Sequence, residues 1–287
     1  MFNIRVVAFL LTVMAIASGA PSPAQAQTGA QKAATENFWD QHQRLAKPAL
    51  PKLERLRFLT SVDYPPFNFL DARGRLAGFN VDLVRSACEE LGILDRCQIE
   101  ARPFDALVPA LLAGEAEAII AGVAITAENR QKLAFTESYF RYPARFVTRK
   151  DRTLSEPMAA AIAGKKIGVV DGSAHVAMLQ AFFPGAQRVP FDTRELALAD
   201  LRQGKIDAVF GDGVGLSFWL ESDAAEACCS FSGGPYLSQR FLGEGLAIAV
   251  AQKDADLARA LDYGIGQVIA KRRFSELMLR YFPVSAF

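Results

Sequence analysis

A short pattern occurs twice in this chain, about ninety residues apart. Each copy dictates a helix that stops at glycine and passes directly into a buried strand. Ala110-Leu-Leu-Ala-Gly114-Glu-Ala-Glu117-Ala118-Ile-Ile-Ala-Gly122 aligns with Asp200-Leu-Arg-Gln-Gly204-Lys-Ile-Asp207-Ala208-Val-Phe-Gly-Asp212. Glycine is the usual helix stop because it adopts the left-handed backbone without a Cβ clash. The acid that follows opens a short apolar run of strand length. The runs end at Gly122 and Asp212, and open α/β sheets bind ligands just beyond the carboxyl ends of their strands. Two similar lobes facing each other would place these residues across one crevice. Helix–glycine–strand is also ordinary α/β punctuation. The matched glycine, acid–alanine and strand-end positions favour a duplicated architecture.

The same rhythm runs through the rest of the chain. Strands are expected at 57–62, 98–102 and 117–121, with helices at 81–91 and 105–113, and Asp71–Gly74 reads as a hairpin turn. Thr126, with Glu128 and Asn129 behind it, reads as a further helix start. After Tyr139-Phe-Arg-Tyr142-Pro143 the alternation restarts, with strands at 166–170, 188–191, 208–211 and 246–251. Helices are expected at 174–182, 193–202, 214–221, 254–269 and 273–282, and residues 222–240 read as irregular. Strand–helix alternation of this kind places the chain in the α/β class.

Residues 1–26 read as a secretory signal peptide: Arg5, the apolar run Val6–Ile16, and the small-x-small site Ala24-Gln25-Ala26. No cysteine follows that site, which argues against a lipid anchor, and no other stretch is apolar enough to span a membrane. The protein is thus expected in the periplasm. Residues 27–52 read as an extension and linker, with a short helix at 37–45. Cys88 and Cys97 flank a helix end and the next strand, and an oxidising compartment favours a local disulfide between them. Adjacent Cys228 and Cys229 read as two small buried thiols, with a vicinal disulfide as the alternative. His42 and His175 are isolated and no Cys/His spacing fits zinc, so no metal is expected. Without Arg5 the chain carries 31 basic and 31 acidic residues. Near-zero net charge argues against nucleic acid, which wants a basic face. About 260 residues remain after the signal, which favours two domains over one.

Tyr64-Pro-Pro-Phe67, Gly78-Phe-Asn-Val-Asp82, Phe104-Asp-Ala-Leu107, Ala118–Thr126, Lys166–Ser173 and Gly204–Asp212 occur in the order and spacing of one family. Across residues 55–283 the chain resembles family 3 of the bacterial solute-binding proteins, the polar amino-acid type. The resemblance implies a two-lobe, type II periplasmic binding fold with a hinge of two chain crossings. The first lobe would comprise 53–140 and 246–287, and the second 145–241. It also implies a monomer that closes on a small polar solute and delivers it to an ABC transporter permease in the inner membrane. No cofactor is implied, and the chain has no Walker A loop of its own.

The resemblance also assigns roles to residues. Asp212 matches the acid that binds a ligand ammonium, the alternatives being an exposed loop acid or the N-cap of the helix that follows. Tyr64 and Phe104 match aromatic walls, offering apolar area and cation–π contact. Gly172-Ser173 opens a helix whose amides suit an anion, and Ser173 also suits an N-cap. The carboxylate end departs from the family pattern. Ala121, Gly122 and Ala124 stand where serines are frequent, Ala174 where threonine is frequent, and Ser61 where some members have an acid. Ungapped alignment puts Asn129, not Arg130, at an arginine position. Backbone groups at Gly122 and Ala124, with Arg130, are the remaining candidates for that end. Glu244, between two glycines at the second crossing, reads as a hinge acid or as a contact for a cationic ligand. Two other functions remain open: an exported dehydratase of the prephenate/arogenate type on the same scaffold, and a ligand-sensing partner of a membrane receptor or dehydrogenase.

Overall fold

A computed structural model of the chain describes Pro48 and residues 54–282. The signal peptide at 1–26 and the short helix expected at 37–45 lie outside the described residues.

The chain begins with strand β1 (Leu56–Thr60), the hairpin strands β2 (Asp63–Tyr64), β3 (Asn68–Leu70) and β4 (Leu76–Ala77), and helix α1 (Phe79–Leu91). It continues through β5 (Cys97–Ala101), α2 (Phe104–Leu112), β6 (Ala118–Ile119) and β7 (Leu133–Phe135). A second run holds β8 (Ala144–Arg149), α3 (Met158–Ala161), β9 (Lys166–Val170), α4 (Ala174–Phe182), β10 (Gln187–Phe191) and α5 (Arg194–Arg202). It ends with β11 (Ala208–Asp212), α6 (Gly213–Leu220), β12 (Cys229–Tyr236) and α7 (Gln239–Leu242). The chain then returns as β13 (Ala249–Ala251), α8 (Ala255–Ala270) and α9 (Arg273–Tyr281).

Two five-stranded sheets result, ordered β5-β1-β6-β13-β7 and β10-β9-β11-β8-β12, beside a small sheet of β2-β3-β4. In each large sheet three strands are parallel, and the strands next to a chain crossing join antiparallel. Both faces of each sheet are covered, so alternate side chains enter different cores. Leu56 and Phe58 pack on one face of the first sheet, with α1 and α8, while Leu59 packs on the other with α2. In the second sheet Ala208 and Phe210 join one core and Val209 the other. Burial on both faces is why these strands read as continuous apolar runs.

The duplicated pattern builds the same unit twice. The Gly114 and Gly204 amides donate to Leu111 and Leu201, and those of Glu115 and Lys205 donate to Ala110 and Asp200. Both helices therefore end in the same glycine motif. The paired acid then caps a neighbouring strand: Glu117 accepts the Arg57 amide at 2.6 Å and Asp207 accepts the Lys166 amide at 2.8 Å.

Four local expectations are corrected. The helix start at Thr126 yields only a single turn, Asn129–Gln131, because the chain must be extended again by Leu133 to pair with β13. Thr126 still caps that turn, accepting the Asn129 amide at 3.1 Å. Residues 222–240 are not wholly irregular, since β12 pairs with β8 despite Gly233-Gly234-Pro235, the ladder shifting register between Ser232 and Tyr236. The strand expected at 246–251 is regular only over Ala249–Ala251. Cys228 and Cys229 are joined as a vicinal disulfide, with Cα atoms 3.7 Å apart, rather than remaining thiols. Cys88 and Cys97 form the other disulfide.

The chain crosses between the large sheets after β7 and after β12. The crossings are tied together: the Leu246 amide donates to Phe140 at 2.7 Å, and the Tyr139 amide donates to Leu246 at 2.9 Å. Gly245, at φ +101°, brings its Cα so close that a Cβ would stand 2.2 Å from the Phe140 carbonyl oxygen. Gly245→Ala is expected to destabilise by roughly 1–3 kcal/mol, read as a lowered melting temperature. On α8, Asp262 accepts the Glu137 amide at 2.8 Å. Burial, opposed by the Glu137 amide bond and helped slightly by the Glu137 charge, pushes its pKa from 3.8 up to about 7. Between those values the unfolded chain sheds a proton that the folded chain keeps, so stability falls as pH rises through this window. Asp262→Asn should therefore raise the melting temperature relative to wild type at pH 8, with the difference closing by about pH 4.

Candidate functional site

The two strand ends named by the repeat lie in contrasting surroundings. Gly122 has φ +73°, and a Cβ there would stand 3.3 Å from both Tyr64 Cε1 and Leu246 Cδ2. The glycine is what lets the Tyr64 ring lie over the strand end. Tyr64 is held from behind by Phe67, with ring centroids 4.9 Å apart and stacked, and its carbonyl accepts the Phe67 amide at 2.8 Å. Its hydroxyl meets that of Tyr142, a residue of the first crossing.

The loop carrying Tyr64 is anchored by a buried polar chain. Asn68 Nδ2 donates to the Ser61 carbonyl and hydroxyl at 3.1 and 3.0 Å. Asn80 Nδ2 donates to Asn68 Oδ1 at 2.8 Å, and Tyr139 Oη donates to Asn80 Oδ1 at 2.9 Å. All four residues are buried. Ser61 is therefore part of this anchor, and its hydroxyl already accepts a hydrogen bond inside the lobe.

Asp212 ends β11 and is also the N-cap of α6. Its Oδ1 accepts the Val214 amide at 3.2 Å and its Oδ2 the Gly215 amide at 2.9 Å. Two amides fix the carboxylate but leave it lone pairs for another donor. The Arg194 guanidinium approaches from α5, over Gly215, and is paired with Glu195 at 3.1 Å. Asp212 is felt by its neighbours. Burial raises the pKa of the Tyr64 phenol and, more strongly, of the Tyr142 phenol, and the Asp212 charge adds to both shifts. Burial lowers that of His175, against the pull of Asp212. From α6, Val214 packs into the first lobe's core, and the Phe218 ring lies 6.4 Å from that of Phe282.

The remaining candidates are placed as follows. Ser173 precedes α4, but its hydroxyl donates back to the Val170 carbonyl at 2.6 Å and caps no helix amide, so the N-cap expected there is not formed. Gly172 holds the turn at φ +68°. Asn129 folds over the first strand end, its Nδ2 donating to the Ala124 carbonyl at 2.9 Å. Arg130 instead reaches the second crossing, where Nη2 donates to Glu244 Oε2 at 2.7 Å, and its guanidinium lies 5.9 Å from the Phe135 ring centroid. Glu244 is thus an ion-paired hinge acid. Phe104 opens α2 at 49% exposure, and no described contact joins it to Tyr64 or Asp212.

Tyr142, His175 and Arg194 were not among the residues read as site residues. The signal for Tyr142 lay in Pro143 and the β-type run Ala144–Arg149 behind it, which place the crossing beside the Asp212 strand. Gly122→Val should force Tyr64 off the strand end and destabilise by about 1–3 kcal/mol, measurable by urea unfolding.

The family model described as bacterial extracellular solute-binding proteins, family 3, matches residues 56–284. The L-arginine-binding protein of Pseudomonas aeruginosa is 32% identical over 246 residues, covering 85% of this chain and 93% of the relative. The lysine/arginine/ornithine-binding periplasmic protein of Escherichia coli K12 is 28% identical over 241 residues, covering 83% and 91%. Among solved structures, the L-cystine solute receptor of Neisseria gonorrhoeae, unliganded and open, aligns with a TM-score of 0.68 at 22% identity, covering 79% of this chain and 92% of that one. The second substrate-binding domain of Lactococcus lactis GlnP, also open, gives 0.68 at 18% identity, covering 84% and 100%. These structural likenesses establish the two-lobe, type II binding-protein fold.

Proposed function

The chain belongs to the bacterial extracellular solute-binding proteins, family 3, and from that premise we propose that Asp212 and Tyr64 hold the amine end of its solute. The family supplies the substrate-binding component of ABC importers, so the chain captures a small polar, amine-bearing solute by lobe closure and delivers it to a membrane permease. Its relatives are named as binding proteins rather than enzymes. Our reading places the mature protein in the periplasm as a monomer, with lobes at 53–140 plus 246–287 and at 145–241. Closure couples to binding because only the closed form buries the ligand against both lobes.

The observation that carries this reading is the carboxylate of Asp212, held by two backbone amides at a strand end and near enough for its charge to act on two protonated phenols. A fixed carboxylate of this kind forms a charge-assisted bond to an ammonium without reorganising. Side-chain donors for a ligand carboxylate around the strand ends are already engaged: Asn129 is bonded to Ala124, Arg130 to Glu244, Ser173 to Val170 and Arg194 to Glu195. A ligand carboxylate therefore relies on backbone amides at Gly122, Ala124 and the start of α4, or on Arg130 leaving Glu244. Basic amines are favoured over acidic solutes.

Calorimetry with L-arginine, L-lysine, L-histidine and agmatine tests the reading. At least one basic amine should bind, and Asp212→Asn, which keeps one of the two cap acceptors, should weaken binding a hundredfold or more with only a modest fall in melting temperature. Undiminished binding by that variant would remove Asp212 from the site.

A further inference from the structure

Tyr142 stands two residues before β8, and the backbone fixes it next to the end of β11. Asp212 faces Ala144 across the β11–β8 ladder, and the Gly213 amide donates to the Pro143 carbonyl at 2.7 Å. No side chain fits at Gly213, where a Cβ would stand 2.9 Å from that carbonyl oxygen and 2.8 Å from Arg145 Cγ. The Tyr142 ring lies edge-on to Phe140 and Phe67, with centroids 5.4 and 6.0 Å away, so the first lobe's core grips it. Its hydroxyl meets that of Tyr64. The residue also lines a cavity of about 130 Å³ with Leu237, Leu242 and Gly243 beside the second crossing.

Three oxygen-bearing groups thus come to one end of the cleft from three separate segments: Tyr64 from the loop after β1 and Tyr142 from the crossing, in hydroxyl contact, and Asp212 from the strand end, near enough for its charge to act on both. A hydrogen bond between two phenols uses one O–H and leaves acceptor capacity on both oxygens. A carboxylate and two such oxygens complement a cation that carries several N–H donors. A primary ammonium has three, and each methyl group added to the nitrogen removes one. His175 and Arg194 border the cluster, but Arg194 is paired with Glu195.

We propose that Tyr142 is a specificity-determining ligand contact, completing with Tyr64 and Asp212 a three-oxygen receptor for a primary ammonium group. The proposal rests on the reading that the cleft binds an amine at Asp212. It assigns the crossing a direct part in recognition and selects primary over N-substituted amines.

The test compares wild type, Tyr142→Phe and Asp212→Asn by calorimetry with L-arginine and α-N-methyl-L-arginine. Wild type should prefer L-arginine about tenfold, the effect of one charge-assisted hydrogen bond. Tyr142→Phe should bind L-arginine about tenfold more weakly and lose most of that preference, with its melting temperature unchanged. An unchanged preference in Tyr142→Phe, whether its affinity is retained or reduced equally for both probes, would overturn the inference while leaving the Asp212 reading intact. Failure of wild type to bind L-arginine would overturn this inference, and the amine reading falls with it only if L-lysine, L-histidine and agmatine also fail to bind or if binding is undisturbed in Asp212→Asn.

Discussion

The two crossings are joined by one antiparallel bridge, between Phe140 and Leu246, and the geometry of the cleft is referred to it. Phe140 belongs to the first lobe's core, packed against Phe67, Phe79 and Phe282. The pivot is therefore embedded in one lobe rather than suspended between two. Residues just outside the bridge, Tyr142 on one strand and Glu244 on the other, come to the edge of the cleft because the bridge is where it is. Gly245 is the steric condition for this arrangement, since a side chain there would hold the crossings apart.

Asp212 links that frame to chemistry. As an N-cap it satisfies two amides that α6 would otherwise leave open, and a negative charge is favourable at this end of a helix. The bonds that stabilise α6 also hold the carboxylate in place. Cap and ligand contact are thus one arrangement, which is why the capping reading and the binding reading of this acid do not compete. The first lobe opposes it with an aromatic residue over a bare glycine, so the two strand ends supply different chemistry from similar backbones.

Much of this was legible in the sequence where local chemistry and fold agree. The repeated glycine stop forced the helix ends, and the acids at Glu117 and Asp207 were visible as matched positions before their strand-capping bonds were known. Helix 174–182 and strand 166–170 were legible because apolar periodicity and turn residues agree there. What escaped depends on partners distant in the chain. Strand β12 is masked by Gly233-Gly234-Pro235, turn residues tolerated because β8 supplies the ladder. The Thr126 start signal is real, but β7 leaves it no room. Tyr142 gives no motif of its own, and its place beside Asp212 exists only once β8 pairs with β11.

The buried chain from Ser61 through Asn68 and Asn80 to Tyr139 divides the cleft into halves with different freedom to evolve. Every link depends on the next, and a buried polar network that loses one member becomes a liability rather than a neutral variant. Single substitutions in the anchor behind the Tyr64 wall are consequently costly. Exposed Ala124 and Arg130 and half-buried Asn129 carry no such obligation, because their bonds lie at the surface and can be exchanged singly. New ligand preferences in this lineage should accordingly arise by substitution around the strand ends, against a wall that stays the same.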